Sequence, residues 1–364
     1  MHIPDGYLSP ATCAALYAGA SPFWYVSVRR VRRALHTRLV PLLSLFAAFS
    51  FVVMMFNIPL PGGTTGHAVG IGLAASTIGP WASILAISVA LVIQAIFFGD
   101  GGITAIGANC LNMAVVGSLT AWAVCGLISR RAPLSSPRRA VAAGIGGYVG
   151  INAAALAAAL ELGAQPLLYH DAAGAPLYCP YPWGIAIPAM MAGHLLVAGV
   201  AEFALSAGVV AFLQRTDPGL LQGASGTAQE AGAAESRSAQ RTLRPLWLVL
   251  AVLMLLTPLG ILASGTAWGE WSASEFADAS ARQQIAAASL GQPPPAQPPH
   301  GLARLSTIWT APWAGYAPGF VQSAAVGYLL SAMFGVGLVV LISLGVGGLL
   351  RARRSHGPGK TVHP

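Results

Sequence analysis

Trp81-Ala-Ser-Ile-Leu-Ala-Ile-Ser-Val-Ala-Leu-Val-Ile-Gln-Ala-Ile-Phe-Phe98 runs for eighteen residues without a charged side chain. A helix of that length, at about 1.5 Å per residue, nearly crosses a hydrocarbon layer of about 30 Å. Similar runs lie near 9–28, 39–57, 67–80, 110–129, 140–162, 184–213, 245–265 and 323–350. Each is read as a helix, because backbone groups in lipid must bond within their own segment. The expected class is all-α: a polytopic helical membrane protein with a seven-span core, two further C-terminal spans and its N-terminus outside. Composition agrees, with 55% hydrophobic and 8% charged residues, against about 25% charged in a soluble domain.

Orientation follows from the basic residues. Arg29, Arg30, Arg32, Arg33 and Arg38 follow span one, and Arg130, Arg131, Arg138 and Arg139 follow span five. Arg215, Arg237, Arg241 and Arg244 lie between spans seven and eight, and Arg351, Arg353, Arg354 and Lys360 form the tail. With nine spans and an outside N-terminus, 17 of the 19 basic residues face the cytoplasm, leaving Arg282 and Arg304 outside. The net charge of +8 is then topology, not a nucleic-acid footprint. The protein is expected in the inner (plasma) membrane, among lipid and with no nucleic-acid partner. Residues 1–213 form the core, 214–243 read as a flexible cytoplasmic linker, and 244–364 form a two-span unit enclosing an outside loop, 266–322. Prolines 293–295 and 298–299 make part of that loop extended or disordered.

The N-terminus carries chemistry. It reads Met1-His2-Ile3-Pro4-Asp5-Gly6, with no basic region ahead of the first apolar run, so span one is expected to be retained and the Met1 amine free. That amine, the His2 backbone nitrogen and the His2 imidazole can close fused five- and six-membered rings on one metal ion. A second imidazole in the plane completes four nitrogens, a geometry typical of Ni(II) or Cu(II). His67 offers one. It ends Asn57-Ile-Pro-Leu-Pro-Gly-Gly-Thr-Thr-Gly-His67, and the short span after it places it below the outer surface. Its alternative role is to cap a helix or bond a carbonyl.

A third segment, Gln94-Ala-Ile-Phe-Phe-Gly-Asp-Gly-Gly-Ile-Thr-Ala-Ile-Gly-Ala-Asn109, runs on to Asn112 and Met113. Asp100 stands between glycines in a loop at membrane depth, where only protein or a cavity can cover it. Asn109 and Asn112 are three apart and are expected to share a helix face and bond to that loop. Asp5, Asn57, Gln94, Asp100, Asn109 and Asn112 are thus candidates to orient the imidazoles and hold the loop, or merely to cap helices. His194 and Glu202, eight apart in span seven, read as an interhelical hydrogen-bond network or as a functional pair. His170 and Asp171 read as solvated; His36, His300, His356 and His363 need no function. Ala11, Ala15 and Gly19, with Ala14 and Ala18 beside them, form a small-residue face suited to internal packing or to docking another membrane subunit. The four cysteines, Cys13, Cys110, Cys125 and Cys179, form neither a disulfide framework nor a thiolate metal site.

Absences matter too. There is no Walker-type phosphate loop, no His-Glu-x-x-His and no serine nucleophile motif with a partner. Active transport would need energy from another polypeptide.

Met-His-Ile-Pro-Asp-Gly-Tyr-Leu-Ser-Pro10, Pro61-Gly-Gly-Thr-Thr-Gly-His67 and Gln94 to Met113, in that order, resemble the CbiM/NikM family of substrate-specific components of cobalt or nickel energy-coupling-factor transporters. Residues 244–350 look like the small two-span CbiN/NikN partner, fused here, on Leu256-Thr-Pro-Leu-Gly and Gly265-Thr-Ala-Trp-Gly-Glu-Trp271. The resemblance implies a site built from Met1, His2 and His67 that carries Co(II) or Ni(II) as cargo, with no resident cofactor. It also implies a transmembrane T component and two cytoplasmic ATPase subunits as partners. Two other classes stand beside this reading. A membrane-embedded metalloenzyme would need an open coordination position, which four nitrogens do not leave. A passive channel conflicts with a tight chelate at its mouth. The outside loop lacks a histidine–carboxylate cluster and is expected to contact the 1–10 and 58–67 segments and assist metal loading.

Overall fold

The computed structural model describes residues 1–33, 39–225, 235–263 and 265–355. His36, Arg38, His356, Lys360, His363 and part of the expected linker lie outside these. Helix α1 spans Pro10–Arg33 and α2 Leu39–Met54. A hairpin of β1, Ile58–Leu60, and β2, Thr64–Gly66, follows in antiparallel register, Pro59 opposite Thr65. Its turn uses Gly62 and Gly63, both at positive φ, where glycine has no steric penalty. Then come α3 (Ile71–Thr77), α4 (Gly79–Phe98), α5 (Ile106–Ser129), α6 (Pro137–Leu168) and α7 (Trp183–Thr216). The C-terminal unit adds α8 (Glu235–Leu256), two short loop helices, α9 (Ala279–Ala288) and α10 (His300–Leu305), and α11 (Ala324–Ser355).

Among the described residues, six helices are long and apolar enough to cross a membrane: Gly79–Phe98, Ile106–Ser129, Pro137–Leu168, Trp183–Thr216, Leu243–Leu262 and Ala324–Gly345. The chain is a multi-pass membrane protein. Three of the nine expected spans are not among these six: α1 and the shorter α2 are helices that fall outside that set, and the third takes another form. Residues 67–80 do not make one continuous helix, because left-handed glycines at Gly70 and Gly79 bound α3 to seven residues. Tight packing replaces length: a Cβ on Gly72 would lie 2.3 Å from the Ala143 carbonyl oxygen of α6.

Glu202 organises the start of α3. The first turn of a helix leaves backbone N–H groups without partners. Here the amides of Val69 and Gly70 donate to Glu202 Oε2 at 2.8 Å each, and the amide of Gly72 donates to Oε1 at 3.1 Å. Ser206 Oγ also donates to Oε1 and accepts from the Leu73 amide. The other residue of the expected pair, His194, bonds the Met190 carbonyl at 2.8 Å through Nδ1. Of the readings left open, the structural network describes Glu202.

The helix ends sort into two groups. At one end α3 lines a recess with Arg130, Arg131 and Arg139, where Ala75 and Ser76 meet Leu221. At the other end gather the N-terminus, the hairpin, the 99–105 and 169–182 loops and the 266–322 loop. This last loop is folded: Trp268, Trp271, Phe276, Ile285 and Leu302 are buried. Its proline stretch is extended and pinned by Arg282, which donates to the Pro294 and Pro295 carbonyls. The expected contacts with the hairpin are present, since Thr65 Oγ1 donates to the Gly265 carbonyl and a Cβ on Gly62 would touch Ala288. The C-terminal helices pack on α2, where Gly335 lets α11 seat the Phe51 ring, whose Cζ would lie 2.1 Å from an added Cβ. All four cysteines are free and buried.

Replacing Glu202 with Ala would strand three buried amides, each worth about 1–3 kcal/mol. The thermal midpoint of the purified protein in detergent should fall by the equivalent of at least about 3 kcal/mol, with Glu202→Gln losing less.

Candidate metal centre

Three separate segments hold the first residues in place. The Ile3 amide donates to Asn109 Oδ1 at 2.8 Å, and Asn109 Nδ2 donates back to the Ile3 carbonyl at 3.1 Å. The Gly102 amide donates to the same carbonyl. Asp5 accepts from the Ile103 amide at 3.1 Å, from the Thr104 amide at 2.8 Å and from the Thr104 hydroxyl. A Cβ on Gly102 would lie 2.3 Å from the Asp5 nitrogen, so this loop needs glycine to approach so closely. Further on, the Ser9 amide donates to Gln165, and Tyr7 donates its hydroxyl hydrogen to the Trp271 carbonyl. Gly6, at φ 91°, passes directly over Leu302 of the C-terminal unit.

These anchors bury Met1, His2 and Ile3. His67, also buried, meets His2 there, the two ring centroids 5.0 Å apart. His67 Nδ1 lies 3.1 Å from the Ala68 carbonyl oxygen. A carbonyl only accepts, so Nδ1 carries the hydrogen and Nε2 keeps its lone pair. That lone pair faces His2 Nδ1 at 3.3 Å. His2 Nδ1 also lies 3.1 Å from Asp100 Oδ1. The His2 Nδ1 hydrogen therefore sits between two acceptors, a place where a cation could replace it. The Met1 nitrogen donates to Glu270 Oε1 at 3.0 Å. Behind Asp100 runs a relay: Gln94 Nε2 donates to the Tyr316 hydroxyl at 3.0 Å, which donates to Asp100 Oδ2 at 2.6 Å.

Of the residues expected here, the structure brings together Met1, His2, His67, Asp5, Gln94, Asp100 and Asn109. Asn57 lies elsewhere, at the end of α2 beside Gly260. The expectation that Asn109 and Asn112 share a face is corrected. Asn112 Nδ2 donates to Glu161 at 2.7 Å instead. Residues Cys110–Gly117 form a π-helix, whose wider turn rotates Asn112 away from Asn109. Ala11, Ala14, Ala15 and Ala18 are exposed, so within this chain they are not an internal packing face; Gly19 is half-buried against Leu111. His170, Asp171 and His300 are exposed. The sequence reading missed Glu270 and Tyr316. The only sequence signal for Glu270 was a lone carboxylate among the tryptophans of an outside loop.

Such a centre, nitrogen-rich and bordered by carboxylates within a bundle of apolar helices, is a place where a multi-pass membrane protein could hold a cation. The family model for the cobalt uptake substrate-specific transmembrane region matches residues 2–220, and a PDGLE domain matches residues 244–352. The fused nickel transport protein NikMN of Rhodobacter capsulatus is 57% identical over 97% of this chain and 98% of its own length. The probable fused nickel transport protein LarMN of Lactiplantibacillus plantarum is 42% identical over 95% of this chain and 97% of its own. A crystal structure of a truncated transition metal transporter is 49% identical, covers 59% of this chain and 99% of its own, and superposes with a TM-score of 0.56. The chain belongs to the cobalt uptake substrate-specific transmembrane family, a family of transporters and not of enzymes.

Asn109 is the simplest test of the anchoring. Asn109→Ala removes both side-chain bonds to Ile3. Hydrogen exchange at the Ile3 amide should accelerate at least about tenfold, the equivalent of roughly one to two hydrogen bonds. Mass spectrometry of N-terminal peptides measures this directly.

Proposed function

We propose that this chain captures Ni(II) or Co(II) for ATP-driven uptake, binding the ion through the Met1 amine, the His2 amide and imidazole nitrogens, and His67 Nε2. The observation that carries this reading is the 3.3 Å approach of His67 Nε2 to His2 Nδ1 beside the buried Met1 nitrogen. Adjacent nitrogens in a square plane with bonds of about 2.0 Å lie roughly 2.8 Å apart, so a shift of about half an ångström completes the pair. Four in-plane nitrogens suit Ni(II) better than Co(II), and the near-full-length relatives carry nickel in their names. Nickel is therefore the first ion to test.

On this reading the N-terminal face is outside and the basic face is cytoplasmic, as the arginine distribution favours. The chain then crosses the membrane nine times, with α3 and the stretch before it serving as the third crossing. A sequence without a phosphate loop depends on separate ATPase subunits. The family resemblance adds a transmembrane T component. The exposed Ala11, Ala14, Ala15 and Ala18 face of α1 is where another helix could approach closely. The 1–213 core carries the ligand histidines, and the 244–364 unit caps them.

Two variants test the ligand set. One alanine inserted between Met1 and His2 changes the chelate ring sizes, and Ni(II) affinity should fall at least about tenfold. Unchanged affinity would remove the N-terminal chelate. His67→Ala should retain weaker binding with an altered visible spectrum, and an identical spectrum would remove His67 from the ligand set.

A further inference from the structure

Most of the cluster at the N-terminus is sealed, and its open side is made of carboxylates. The side chains of Asp100 and Glu270 are 19% and 20% exposed, against 2% for His2 and 0% for Met1. An ion arriving from water meets oxygen before nitrogen. One ligand atom from each of His2, Asp100 and Glu270 falls within 4.8 Å of the others. Ligand atoms around an ion with bonds of about 2.1 Å stand roughly 3 Å apart when adjacent and about 4.2 Å apart when opposite. His2 Nδ1 and Asp100 Oδ1, 3.1 Å apart, already have the adjacent spacing, and Glu270 has to close on them from within 4.8 Å. His2 is also the buried member with capacity to spare, since its Nε2 has no hydrogen-bond partner among the described residues.

The geometry points to a second, mixed oxygen–nitrogen site at His2, Asp100 and Glu270 that receives a hydrated divalent ion before it moves into the four-nitrogen plane. This inference rests on the four-nitrogen reading for the ion's destination. It differs in naming a transient site and in assigning one of its ligands to the C-terminal unit. Glu270 Oε1 is the atom that holds the Met1 nitrogen. When an arriving ion takes that oxygen, the amine loses its counter-charge, gives its proton to the water that reaches the two carboxylates, and is free to bind the ion. Asp100 plays the matching part at His2 Nδ1. Its other oxygen is fixed by the Tyr316 hydroxyl, so it stays aimed at the ring. The loop of the C-terminal unit thereby enters the loading step through one carboxylate and one phenol.

The test compares Glu270→Gln with the unaltered full-length protein. Ni(II) is mixed rapidly, and the visible band of the bound ion is followed in time. Loading should slow at least about tenfold, while the band keeps its shape. Glu270→Asp, which keeps a carboxylate, should recover much of the rate. Mn(II) binds nitrogen ligands weakly and carboxylates readily. It should slow Ni(II) loading of the unaltered protein and leave the Gln variant unaffected. Unchanged loading in Glu270→Gln would overturn the inference, and so would an equal effect of Mn(II) on both proteins. A changed band with affinity lost in step would also overturn it, by making Glu270 a permanent ligand. Failure of the four-nitrogen site would appear elsewhere, as an unchanged band in His67→Ala.

Discussion

Asn109 exchanges two hydrogen bonds with Ile3, and the site depends on that exchange. A chain terminus is ordinarily mobile, and fixing each residue costs about 1–2 kcal/mol of backbone entropy. Here the chain is held at Ile3, whose carbonyl accepts from both the Asn109 side-chain amide and the Gly102 backbone amide. Asp5 repeats the device two residues later, accepting from successive loop amides. Once Ile3 is fixed, His2 has nowhere to go but against His67. Burial of the terminal amine then calls for a counter-charge, because an unpaired buried ion costs several kcal/mol. Glu270 supplies it.

The same logic runs through the rest of the bundle. Several polar groups within the apolar interior are matched to backbone. Glu202 answers the bare amides at the start of α3. Gln165 answers the Ser9 amide at the start of α1. Glycines mark the places where backbone meets backbone, as Gly72 does on α6 and Gly102 on Asp5. Short helices and loops survive at depth where side chains take up their unpaired backbone groups, as Glu202 and Asn109 do.

How much of this could be read from the sequence differs by element. The long spans were legible because an uncharged run of eighteen residues such as Trp81–Phe98 has few other folds open to it. His2 and His67 were legible from their chemistry, one beside an amine and the other after a glycine-rich turn. Residues 67–80 read as a span because their composition is apolar. Nothing local reveals that Glu202, 130 residues away, feeds the amides of a much shorter helix. Asn112 was misplaced because three-residue spacing implies a shared face only in an α-helix, and a π-turn intervenes. Glu270 was invisible for a different reason. Its partner lies 269 residues earlier, and no periodicity links a loop carboxylate to a chain terminus.

One further consequence follows from the cap and the core being a single polypeptide. The loop that carries Glu270 and Tyr316 is tethered at both ends by helices packed on α2. A cap encoded separately would have to find its core by diffusion in the plane of the membrane, and the share of capped cores would follow the relative expression of the two genes. Tethering replaces that encounter with an effective concentration in the millimolar range. Assembly is then one to one at any expression level, and a cell cannot make a site whose amine lacks its carboxylate.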